Sequence, residues 1–100
     1  MSYKDLVDAD RRLVILDLLM QDNGMGNERV LETGLEMLGH RVGVDRAAVR
    51  DHLKFLETAG LVTINMFRDI IMVATITERG VKVQKGNITV DGVSRPVPGA

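Results

Sequence analysis

VGVDRAAVRDHLKFLETAGLV, residues 42–62, reads as one capped helix and its two exits. Asp45 offers a carboxylate to the unpaired N–H groups of a first helical turn, which is what a helix N-cap requires. Val49, Leu53 and Leu56 then fall at i, i+4 and i+7, with Ala48 and Phe55 at the margins, and form one apolar face. Arg46, Arg50 and Lys54 form a separate row at i, i+4 and i+8, read as lying opposite that face. Gly60 supplies the positive φ that ends the helix at Ala59. A helix over about 45–59 with a core side and a basic side is therefore expected.

Upstream, Gly39-His40-Arg41-Val42-Gly43-Val44 is too short for an element and is punctuated by glycine, so it predicts a tight connection. Before it, Val30, Leu31, Leu35 and Leu38 give a helix over 28–38, capped by Asn27 and weakened by roughly 1 kcal/mol at Gly34 relative to alanine. Leu6, Ala9, Leu13, Leu16 and Met20 recur at helical spacing, and Val14, Ile15, Leu18 and Leu19 widen their stripe. They predict a first helix over 5–21, with QDNGMGN after it as a loop.

Downstream, residues 61–64 and 70–76 have strand composition, and Phe67-Arg68-Asp69 is the expected hairpin tip. Thr77 caps a short helix over 78–85 that stops at Gly86. NITVDGVSRPVPGA, residues 87–100, contains turn signals and two prolines, and is expected to be an arm outside the core.

The order is helix, helix, helix, hairpin, helix, tail. Two helices joined by a short glycine-containing turn, the second basic and followed at once by a hairpin, match an α+β winged helix-turn-helix. The expected architecture is a three-helix core, a two-stranded β-hairpin wing, a short C-terminal helix and an extended tail. Residues 1–86 would be the domain and 87–100 the C-terminal arm. The quoted stretch also resembles the winged-helix pattern of MarR-like and ArsR-like bacterial repressors, through Leu56, Gly60, Leu61 and Val62 and the later Thr77-Glu78-Arg79-Gly80. A closer resemblance, carried by Arg12 to Leu16, Ile71 to Gly80 and Gly92-Val93-Ser94-Arg95-Pro96, is to small winged-helix proteins of Mu-like phages and prophages. That resemblance implies a fold; a role taken from it is analogy.

Composition narrows the function classes. The chain has no cysteine, so disulfides, thiolate metal sites and thiol catalysis are excluded. Its serines, Ser2 and Ser94, lie near the termini, and no nucleophile, base and acid can be brought together by any motif. His40 and His52 sit 12 positions apart on different elements without ligand-spaced partners. The reading is a non-enzyme with no cofactor and no metal. The three aromatics, Tyr3, Phe55 and Phe67, are too few for a single-strand stacking platform. No apolar run of about 20 residues is present and the N-terminus lacks a signal-peptide pattern, so a cytoplasmic protein without membrane contact is expected.

Net charge is −1, but acidic side chains outnumber basic ones eight to four over residues 1–39, whereas residues 79–100 hold four basic and one acidic. The leading expectation is a DNA-binding transcriptional regulator. Its helix 45–59 would enter the major groove and its wing, about 61–76, would lie on the backbone. Arg46 and Arg50 would reach base edges, Lys54 a phosphate, and Ala47 a thymine methyl; Arg41 in the turn and Arg68 at the wing tip would meet backbone phosphates. Two copies would read a pseudo-palindromic site as a homodimer formed through the first helix and the arm. The rival is a phage packaging or assembly module of the same fold that binds a phage or host protein. Asp45, Asp51 and Asp69 decide between them, according to whether they interrupt the basic face.

Overall fold

The computed structural model describes residues 2–97. Ser2 and Asp5 form a reciprocal capping box, so the first helix, α1 (Tyr3–Gln21), starts two residues earlier than its apolar stripe suggests. Asn23 and Gly24, both at positive φ, turn the chain back. Within the expected loop a short strand then forms, β1 (Met25–Asn27). Asn27 caps α2 (Glu28–Met37) through Oδ1, which accepts from Arg29 N and Val30 N. Asp45 accepts from Ala48 N and starts α3 (Arg46–Thr58). The antiparallel strands β2 (Val62–Phe67) and β3 (Ile71–Ile76) follow, and Thr77 caps α4 (Glu78–Gln84).

The fold class is α+β, with four helices and a three-stranded antiparallel sheet among the described residues. The expected two-stranded hairpin is thus corrected: β1 pairs with β3 from Met25↔Thr75 to Asn27↔Val73, giving the order β1-β3-β2. Two glycines and a three-residue length conceal β1 in the sequence. A Cβ at Gly26 would stand 3.2 Å from Leu19 Cδ2, a tight contact, so β1 lies close on α1. The hairpin tip also shifts. Phe67 pairs with Ile71 inside the ladder, and the turn is made by Arg68, Asp69 and Ile70.

The core joins Ile15, Leu16 and Leu19 of α1 with Leu31 and Leu35 of α2, Val49, Leu53 and Leu56 of α3, and Val62, Met72 and Ala74 of the sheet. Gly34 permits that closeness: a Cβ there would be 2.7 Å from Leu18 Cδ1, so the glycine that weakens α2 lets it approach α1. Val30 and Leu38, expected on the inner side of α2, are exposed. The inward stripe of α2 is Glu28, Leu31 and Leu35.

The arm is the second correction. Residues 88–96 fold back over α1, where Ser94 N donates to Ala9 O at 3.1 Å and Arg12 Nη1 donates to Gly92 O at 3.0 Å. Val93 is buried in the core, and Ile88 and Val90 pack against it. The spaced apolar residues of this segment outweigh its turn signals, because α1 leaves a stripe for them to cover. Residues 98–100 of the expected arm lie outside the described residues. No helix among the described residues is long and apolar enough to cross a membrane.

Candidate functional site

The residues singled out in the sequence separate into two groups. Ala47 and Lys54 are exposed on α3 in a strip completed by Asp51 and Thr58, and this strip, not the arginine row, stands opposite Val49, Leu53 and Leu56. Arg41 is exposed in the turn before α3, with Nε donating to Glu36 O at 3.3 Å. Arg68 is exposed at the hairpin tip, where it and Asp69 both take positive φ, 53° and 58°, and its guanidinium lies 5.1 Å from the Phe67 ring. An arginine and an aspartate in the left-handed region carry strain that glycine would not.

Arg46 and Arg50 form the other group, because both turn toward Glu28. Arg46 Nε donates to Glu28 Oε1 at 2.8 Å and its Nη2 to Ile70 O at 2.6 Å. Arg50 grips both carboxylate oxygens, Nε to Oε1 at 2.7 Å and Nη2 to Oε2 at 2.8 Å, and also reaches Ile70 O at 2.8 Å. Met72 N completes the cluster by donating to Glu28 Oε2 at 2.6 Å. Glu28 is 1% exposed, whereas the side chains of Arg46 and Arg50 are 54% and 29% exposed.

Sheet geometry explains this cluster. Ile76 N donates to Gly24 O, and Gly26 stands opposite Ala74. Continuing that register puts residue 28 opposite Met72, but Asn27 has already capped α2 and the strand is over. The Glu28 carboxylate therefore takes the Met72 N–H that a strand carbonyl would have taken, and the guanidiniums take the Ile70 carbonyl next to it. The result is a clamp joining the start of α2, the start of α3 and the hairpin. The Arg50 hydrogen bond, with smaller help from Met72 N–H and Arg46, outweighs burial and lowers the Glu28 carboxyl to about 2. The same bond raises the Arg50 guanidinium.

A second polar cluster lies on another side of α3. His52, 6% exposed, shares the inward stripe of Val49, Leu53 and Leu56. Arg12 Nε donates to His52 Nδ1 at 3.2 Å, which fixes Nδ1 as an acceptor, while Nε2 faces Asp8 Oδ1 at 3.8 Å. Arg12 also stacks 3.7 Å above the Phe55 ring. Burial first, and the neighbouring Arg12 second, lower the His52 pKa. Beside it a cleft of about 480 Å³ opens between α1 and the turn before α3, lined by Tyr3, Lys4, Val42, Asp51 and His52 among others. Arg11 pins that turn, with Nη2 donating to Val42 O and Nε to His40 Nδ1. Among the described residues no group of three His, Cys, Asp or Glu side chains is placed to hold a metal ion.

Sequence reasoning missed Glu28 as a participant. The signal was present: Glu28 precedes Leu31 by three positions and Leu35 by seven, so it belongs to their inward stripe, and an acid there needs a cationic partner.

The chain is 42% identical to the uncharacterized protein gp26 of Escherichia phage Mu over 96 residues, 96% of this chain and 97% of that one. It is 43% identical to an uncharacterized protein of Haemophilus influenzae (strain Rd) over 79 residues, 79% of this chain and 76% of that one. No family model and no solved structure matches. The chain belongs to the family that includes these two proteins, and the kinship with Mu-type phage proteins holds at that level.

Proposed function

We propose that the chain is a winged-helix module that binds double-stranded DNA through the outward strip of α3. The observation that carries this reading is the sequence of a short turn, a helix and a hairpin, held as one body by the Glu28 clamp and leaving Ala47, Lys54 and Thr58 exposed. A recognition helix needs such bracing, because reading base edges demands a fixed register in the groove. Lys54 and Arg41 supply phosphate contacts in this reading. Arg46 and Arg50 act chiefly as braces.

A second reading, a module that binds a protein, is favoured by a specific observation. Asp51 interrupts the strip, Asp69 adjoins Arg68, and the hairpin end exposes Met66, Phe67 and Ile70 at 40%, 55% and 62%. Such a tip suits apolar contact better than phosphate. Titration of a random-sequence duplex pool at two salt concentrations separates the readings. For DNA binding, Lys54→Ala weakens association with all duplexes and shallows the salt dependence by about one counterion, while Asp51→Asn strengthens it. No binding by the unaltered chain at micromolar protein and low salt refutes the DNA reading and favours the second.

A further inference from the structure

We propose that the free edge of β2 is a self-pairing surface, through which two copies join their sheets about a two-fold axis at Ile64. In the order β1-β3-β2 the strand β2 is an edge. Thr77 N donates to Leu61 O at 3.0 Å, which sets the phase of the ladder. Thr63, Asn65 and Phe67 turn their backbone groups to β3, and Val62, Ile64 and Met66 turn theirs to the open side. Among the described residues no loop or cap donates a backbone hydrogen bond to that side of Ile64 or Met66.

Exposed edges are ordinarily blunted by charge, proline or a bulge. Val62-Thr63-Ile64-Asn65-Met66-Phe67 has no charged residue and no proline, and it pairs with β3 residue for residue without a bulge. The opposite edge is β1, which is only three residues long and whose Met25 N already donates to Asp22 O at 3.4 Å, so it offers little to a second strand.

The occupant is a second copy because the strand is complementary to itself. With Ile64 facing its symmetry mate, Val62 faces Met66 and Thr63 faces Asn65, so apolar residues meet apolar ones and polar residues polar ones. All outward backbone groups of the three residues then find partners. The same register brings Arg68 of each copy to Gly60 of the other, just past the C-terminus of α3. Arg79 of the same chain already caps that end by donating Nε to Ala59 O at 3.1 Å, so the partner's guanidinium would find its acid in the exposed Glu57. A closed, isologous dimer follows from this geometry. It differs from association through the first helix and the arm, whose residues 88–96 are already packed on α1 of their own chain.

Sedimentation of the full chain from low micromolar to submillimolar concentration tests the proposal without reference to DNA. The unaltered chain is expected to dimerise. Thr63→Lys with Asn65→Lys, both at exposed positions, sets like charges opposite each other and should weaken the dimer by about tenfold or more. Thr63→Lys with Asn65→Glu sets opposite charges across the axis and should restore it. Thermal melts by circular dichroism verify that each variant is folded. A chain monomeric throughout, or a dimer indifferent to the paired lysines, overturns the proposal.

Discussion

Glu28 and His52 are both buried titratable side chains held by arginine, yet they settle into opposite charge states. Glu28 lies where β1 ends, with two guanidiniums and a backbone N–H aimed at it, and it stays ionised. His52 lies between α1 and the turn before α3, where burial and the Arg12 guanidinium outweigh the Asp8 carboxylate 3.8 Å away, so it stays neutral. Burial alone decides neither case; the sign of what surrounds the group does. The two nonetheless depend on pH in the same direction. Each has a folded pKa below its unfolded value, so each contributes stability that is present above the unfolded pKa and lost as pH falls through the folded one. His52 acts first, below its ordinary value of 6.5, and Glu28 acts from 4.5 down to about 2.

The largest expected effect is on the His52 side. Removing residues 88–100 strips Val93, Ile88 and Val90 from the core and the Gly92 carbonyl from Arg12, and should cost roughly 4 kcal/mol in denaturant unfolding. An unchanged midpoint would mean that the segment is an arm after all. On the clamp side, Glu28→Ala leaves Met72 N–H and two guanidiniums without their acceptor and should cost about 3 kcal/mol. Arg12→Ala gives up the Phe55 stacking and the Gly92 bond, about 1.5 kcal/mol by urea titration. His52→Gln should change stability little at pH 7 but flatten its fall just below pH 6.5, while leaving the loss below pH 4.5 in place. If both slopes persist, the histidine is not the group that titrates first. Lys54→Ala, on the exposed strip, should alter stability by less than about 0.5 kcal/mol.

What the sequence could and could not convey follows the same contrast. The caps at Asn27, Asp45 and Thr77 and the core stripe of α3 depend on neighbours within a turn or two, so they were legible as local pattern. β1 was not, because three residues containing Gly26 carry no strand signal and acquire their conformation from pairing with Thr75, Ala74 and Val73. The arginine row on α3 was legible as spacing, but its orientation was not. Arg46 and Arg50 flank the core face, and a carboxylate 18 and 22 positions upstream draws them toward the sheet. The tail misled for a related reason: its turn residues are local, and the α1 surface that buries Val93 is distant in sequence.

The clamp is central because it turns two apparent DNA-reading arginines into the brace between α3 and the hairpin. The Met72 amide proton reports on it directly, since that proton sits on the Glu28 carboxylate. Its NMR shift, followed through an acid titration, should move with a midpoint of about 2, and Glu28→Gln should abolish the movement. A midpoint near the ordinary 4.5, or a Met72 amide that does not respond to acid while the chain is folded, would contradict the clamp.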